Sequence, residues 1–236
     1  MARKGISLIE SLLALTFFLL IILSSLEFFG TAGKVFSKLQ NAQTNRESAL
    51  AALDKIKADV LQAGQGLLEP LNLAVVGGIE CVDETLSLTS RAKTSALSAD
   101  ASRGQTTLGL EVAEDFTPGK TVCLFDQFKG EILEIRSVEK KTLILASPLS
   151  SEYLKRETTV LLLQKITYSL DSEKSTLRRK VNAGSPQPLL EGVLSFASGY
   201  DRTAHLVDVR LRLQSDPEKT HEILVFPKNM ALAKGQ

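Results

Sequence analysis

Lys4-Gly5-Ile6-Ser7-Leu8-Ile9-Glu10-Ser11 opens a mostly apolar run that extends to Leu26 and sets the architecture of the whole chain. Read as a helix, the stretch from Ile6 to Leu26 rises about 1.5 Å per residue, long enough to cross a hydrocarbon core of about 30 Å. Glu10 is the anomaly inside it. An ionised carboxylate at membrane depth costs at least ~2.5 kcal/mol and marks a functional position whose partner should be named. Glu27 falls at the far end of the run, within reach of the interface.

Three readings compete for the stretch. In the first it is a signal anchor, with Arg3 and Lys4 kept in the cytoplasm, although Lys34, Lys38 and Arg46 on the far side weaken that charge bias. In the second it is a secretory signal peptide with Leu12 to Leu23 as its apolar region and Gly30-Thr31-Ala32 as the cut site, which leaves Glu10 unexplained. The third starts from residue order: Lys4-Gly5, then Ile6-Ser7-Leu8-Ile9-Glu10, then the apolar run. That order closely resembles the processing site of type IV pilins and pseudopilins.

The resemblance implies that a prepilin peptidase cuts between Gly5 and Ile6 and N-methylates Ile6, and that Glu10, fifth in the mature chain, serves subunit assembly. Ile6 stands where phenylalanine is the family's commonest residue. The arrangement also has a physical logic of its own. Loss of Met1 to Gly5 creates a terminal cation at Ile6, and a charge buried among packed helices is stable only when paired. Glu10 lies one turn along, placed to meet the ammonium of a neighbour and set the axial register while Leu8, Ile9, Leu12, Leu13, Phe17 and Leu20 pack against adjacent helices.

The chain has 236 residues and 44% hydrophobic composition, with 28 basic side chains against 27 acidic ones. Loss of Arg3 and Lys4 would leave 26 basic side chains (28 minus 2). That near-neutral balance gives no electrostatic footprint for nucleic acid. Cys81 and Cys123 are the two cysteines. Outside the cytoplasm they either form a disulfide, which for a loop of that length contributes roughly 3 to 4 kcal/mol, or stay as two buried thiols.

Beyond the apolar run, Val35, Phe36, Leu39, Ala42, Arg46, Ala49, Leu53, Ile56, Val60 and Gly64 recur every three or four residues. Lys38, Asn41, Asn45, Asp54, Lys57 and Asp59 occupy much of the remainder. This predicts an amphipathic helix with one face committed to a partner. Gly30 and Gly33 permit a bend, and Gly64 and Gly66 end the helix. Its second half is expected to lie on a globular domain.

From Leu73 the pattern shifts to period two, clearest where Val207, Val209, Leu211 and Leu213 alternate with Asp208, Arg210 and Arg212. This predicts an antiparallel sheet with one wet face. Further strands are expected near residues 79–82, 85–89, 106–112, 121–125, 131–138, 142–146, 159–169, 177–181, 190–199 and 222–226. Residues 90–104, rich in Ser, Ala and Thr, read as an exposed loop. Residues 116–158, opened by Pro118-Gly119, read either as a small curved β module or as a meander of one larger sheet.

Several stretches also resemble the PilW-like minor pilins and the J-type pseudopilins of type II secretion. They are Leu53-Asp54-Lys55-Ile56-Lys57-Ala58-Asp59-Val60, Asp83-Glu84-Thr85-Leu86-Ser87-Leu88, Ile166-Thr167-Tyr168-Ser169-Leu170 with Leu177-Arg178-Arg179, and Pro188-Leu189-Leu190-Glu191-Gly192-Val193 with Phe196 and Tyr200. The expected fold is α+β and pilin-like: a leader (1–5), a membrane-spanning half helix (6–29), its amphipathic continuation (30–64) and a periplasmic β-rich domain (65–236).

Catalytic and metal signals are missing from the sequence. His205 and His221 stand alone, Gly64-Gln65-Gly66 lacks the lysine of a phosphate loop, and Asp100, Asp115, Asp126 and Asp201 are scattered among loops. No catalytic residue, metal site or cofactor is expected. The resemblance implies a non-enzymatic minor pilin in the inner membrane with a periplasmic domain, joining the tip complex of a pilus. Its partners would be prepilin peptidase, other major and minor pilins or pseudopilins, and the inner-membrane assembly platform. The alternatives are a J-like subunit of a type II pseudopilus and a membrane-anchored periplasmic binding module.

Overall fold

The computed structural model of the chain describes residues 8–233, so Gly5 and Ile6 lie outside the described residues. The first helix, α1 (Leu8–Gln62), runs through Gly30 and Gly33 without interruption. By internal contacts the chain divides into two units, one ending at Ser48 and the other beginning at Ala49. In the first unit the described part is helix alone, and its large apolar side chains, from Leu8 to Leu39, are exposed. The segment is long and apolar enough to cross a membrane by length and composition.

The second unit is an antiparallel β domain built on the last part of α1. After the short helix α2 (Leu68–Asn72) come β1 (Ile79–Val82), β2 (Thr85–Ala96), β3 (Thr107–Gly109), β4 (Thr121–Phe125), β5 (Gly130–Glu139) and β6 (Thr142–Leu145). Then come β7 (Thr159–Asp171), β8 (Thr176–Val181), β9 (Gln187–Glu191), β10 (Val193–Asp201), β11 (Leu206–Leu213), β12 (Asp216–Val225) and the helical turn α3 (Lys228–Ala231). One sheet runs in the order β1-β2-β7-β4-β5-β6-β3, with β8 and β9 branching from β7, and a second sheet is β10-β11-β12.

Helix α1 is covered only from Ala49 onward, where Ala49, Ala52, Leu53, Ile56 and Val60 enter a core shared with Leu86, Leu88, Ile166, Tyr168, Phe196 and Val209. Full burial of each Leu, Ile or Val contributes roughly 1.5 to 3 kcal/mol. The face expected from periodicity therefore begins later than predicted: Val35, Phe36 and Leu39 are exposed. Asp59, assigned by periodicity to the wet side, is 4% exposed. A second core gathers Leu97, Leu108, Leu110, Val122, Leu124, Leu133, Leu143, Tyr153, Val160 and Leu162. It draws on residues before and after 116–158 as well as within that segment.

Two further expectations are corrected. Residues 90–104 are not one loop, because β2 continues to Ala96 along Leu163 to Thr159 of β7, through a register shift between Arg91 and Lys93. Leu97 then bridges Leu110, and Ala101 bridges Tyr153. Small polar residues hid that strand because its outer row, including Thr94, faces water while Ser95 and Leu97 are buried. The strand expected at 190–199 is two strands in different sheets, divided at Gly192, whose φ of +68° favours a residue without Cβ.

The end of α1 is made by the chain's later residues. Gly64, at φ +72°, turns the backbone so that its N–H donates to the Thr89 carbonyl at 2.8 Å. The Asn229 side-chain amide donates to the carbonyls of Leu61 and Ala63, both at 3.2 Å, which satisfies acceptors that a helix leaves open at its C-terminus. A Cβ on Gly64 would come within 2.7 Å of the Met230 sulfur.

Candidate functional site

On α1, Ile9, Leu13, Phe17 and Leu20 succeed one another at spacings of four, four and three, so they share one helix face. Glu10 lies in the first described turn and borders that face through Leu13 and Phe17, three and seven residues on. Leu8 and Leu12 extend it on the other flank. All six apolar side chains are more than half exposed. The Thr16 hydroxyl donates to the Leu13 carbonyl at 2.8 Å, so it needs no outside acceptor in an apolar medium. The structure thus collects the predicted packing residues and one carboxylate on a broad apolar surface of a single helix, while the cleavage and methylation position falls outside the described residues.

Cys81 and Cys123 are free thiols. Cys81 is on β1 and Cys123 on β4, with β2 and β7 between them. Three strand spacings of about 4.8 Å separate them by roughly 14 Å, twice the ~7 Å that a disulfide can span. Of the two open readings, the bridge is excluded and the free thiols stand. Burial pushes the Cys123 thiol up to about 12, so it stays protonated and behaves as a small hydrophobe.

Periodicity missed the strongest polar constellation of the β domain. The Asp59 carboxylate accepts from the Tyr168 hydroxyl at 2.5 Å and from Arg179 Nε at 2.7 Å, and Lys55 Nζ lies 3.3 Å away. Tyr168 and Arg179 face each other across β7 and β8. The cluster joins the last turns of α1 to the sheet. Burial raises the Asp59 carboxyl, but hydrogen bonds from Arg179 and Tyr168 and the nearby Arg179 charge outweigh it and hold the group below the ordinary aspartate value. Tyr168 is pushed upward, first by burial and then by its hydrogen bond to Asp59 and the Asp59 charge. A carboxylate 4% exposed and held by one tyrosine and two cations is a fastening between helix and sheet.

The scattered aspartates serve turns and pairs. Asp126 accepts from the N–H groups of Phe128 and Lys129, and Asp201 from those of Thr203 and Ala204. Asp115 pairs with Lys93 at 2.8 Å, and Asp100 accepts the Lys155 N–H at 2.7 Å. His205 sits at φ +51°, 3.4 Å from the Tyr200 hydroxyl.

No family model matches the chain, and no curated protein matches it. Solved structures similar over part of it are phage tailspikes. The gp54 tailspike of Acinetobacter baumannii bacteriophage AP22, solved with A. baumannii capsular saccharide, is 18% identical, over 33% of this chain and 15% of its own, at a TM-score of 0.30. The gp61 tailspike of Pseudomonas phage phi297 is 24% identical over 31% of this chain and 14% of its own, at 0.28. The gp49 tailspike of Pseudomonas phage LKA1 is 20% identical over 30% and 14%, at 0.26. The chain thus spans about one seventh of the length of these tailspikes, and at such TM-scores they carry no argument about fold or activity.

Proposed function

We propose that the chain is a minor pilin, anchored in the inner membrane by α1, cut after Gly5 by a prepilin peptidase and added to the tip complex of a pilus. The observation that carries this reading is the surface on α1: one carboxylate, Glu10, in the first described turn of a helix whose apolar residues are exposed as far as Leu39. Exposure on that scale calls for an apolar surround. Lipid suits it before assembly and neighbouring helices suit it afterwards. Glu10 then meets the terminal ammonium of an adjacent subunit, a pairing that offsets the desolvation of both charges.

The pilin-like character of the fold belongs to this reading, supported by a long apolar helix whose last turns pack under an antiparallel domain. The role is structural: the polar residues of the β domain fasten α1 and close turns. A J-like place in a type II pseudopilus uses the same surface, and the subunits that co-purify with the protein distinguish the two.

Mass spectrometry of the mature amino terminus tests the proposal. An N-methylated Ile6 is expected. A terminus at Met1 or at Gly33 overturns it in favour of an uncleaved anchor or a secretory signal.

A further inference from the structure

β7 is flanked by β2 along one edge and by two strands in succession along the other. The β4 ladder ends at the pair Val122 and Leu162, and the β8 ladder begins at Ile166 and Val181. Between these pairs the sheet forks. Asn182 props the fork: its side-chain oxygen accepts the Lys165 N–H at 2.8 Å, and its own N–H donates to the Lys165 carbonyl at 2.7 Å. Its φ of +51°, tolerated by asparagine better than by most residues, carries the chain away from the β8 direction.

A cleft of about 510 Å³ opens at this fork. That volume lies within the range of small-ligand sites, roughly 300–1,000 Å³. Thr89, Lys165 and Thr167 line it and alternate along their strands with Leu88, Ile166 and Tyr168, which belong to the core with α1. By the period of two, these three residues lie on the opposite face of the sheet, while Val76 and Leu163 of the same lining belong to that core. The Asp59 fastening and the apolar surface of α1 take no part in it.

Charge narrows the occupant. Lys165 Nζ and Glu80 pair at 3.3 Å on the cleft lining. Lys180 on the β8 wall and Glu134 on the β5 wall have no ion pair or side-chain hydrogen bond among the described residues. The hydroxyls of Thr89, Thr121 and Thr167 lie in the same lining, with Ile132 and Leu163 as its apolar part. No aromatic ring is available for stacking a base or a sugar. An occupant with one charge of each sign and amide groups to meet the hydroxyls complements this set.

We propose that the cleft at the β4/β8 fork binds a short zwitterionic peptide segment, its cationic group against Glu134 and its carboxylate against Lys180. The site is independent of the assembly role, since every residue in it belongs to the unit that begins at Ala49.

Isothermal titration of the full chain in detergent micelles with free triglycine tests this, with N-acetyl triglycine amide as the uncharged control. Saturable binding of triglycine is expected, with a dissociation constant on the order of 1 mM, as suits two partly solvated ion pairs. The blocked peptide should not saturate, and Lys180→Gln and Glu134→Gln should each weaken triglycine about fivefold. Glu139→Gln, outside the cleft, should leave binding unchanged, and all three variants should keep the parent's circular dichroism. Absence of saturable binding, equal binding of the blocked peptide, or wild-type binding by both cleft variants overturns the proposal.

Discussion

At Asp59, burial and charge pull in opposite directions, and the partners decide the outcome. Because its folded carboxyl titrates below the ordinary value of about 3.9, the stability it contributes is complete above roughly pH 4 and is lost as pH falls through the lower folded value. Asp59→Asn should therefore flatten the acid limb of the stability profile and cost about 2 to 3 kcal/mol at neutral pH, because it strands a partly buried Arg179; urea titrations between pH 3 and 7 measure both. Tyr168→Phe removes the hydrogen bond to Asp59 and the longer one accepted from Arg179 Nε at 3.3 Å, and should cost about 1 to 2 kcal/mol in the same assay. At Glu10 the expected outcome is functional rather than energetic: Glu10→Val inserts into membranes as wild type does but fails to enter a filament, as fractionation followed by filament shearing would reveal. Normal incorporation of that variant would overturn the assembly role proposed for Glu10.

Among the elements, apolar signal placed β1, β4, β7, β8 and β11 within a residue or two, either as alternation of core and water, clearest in β11, or as a short apolar run buried on both faces, as in β4. It failed where neither condition held. The second half of β2 carries Arg91, Lys93 and Thr94 with little apolar signal, because its pairing comes from backbone bonds to β7 rather than from side-chain burial. The β9–β10 division was hidden in a largely apolar run that serves two sheets, with Gly192 as its punctuation mark. Asp59 was illegible for a different reason: its partners arrive 109 and 120 positions later, and no local period encodes them. The apolar surface of α1 and its carboxylate, in contrast, were readable directly from residue order. Strand order also settles the cysteines. Cys123, fully buried on β4, should resist maleimide until the domain unfolds, whereas the partly exposed Cys81 reacts first; a mass-detected labelling course with and without denaturant checks the order.

For the whole molecule, every buried apolar residue of both cores lies at or beyond Ala49. A chain trimmed to residues 49–236 should therefore fold in water and melt within about 3 °C of the full-length protein in micelles, as scanning calorimetry would show. A much lower midpoint would mean that the exposed half of α1 supports the domain. The Asn229 contact with the end of α1 carries a different implication. An acceptor on the first helix is matched by a donor 168 positions later, so this closure of the helix end forms only after ribosomal synthesis has passed Asn229. Until then the Leu61 and Ala63 carbonyls stay open to water, and the last turn of α1 is held by less than it has in the finished chain.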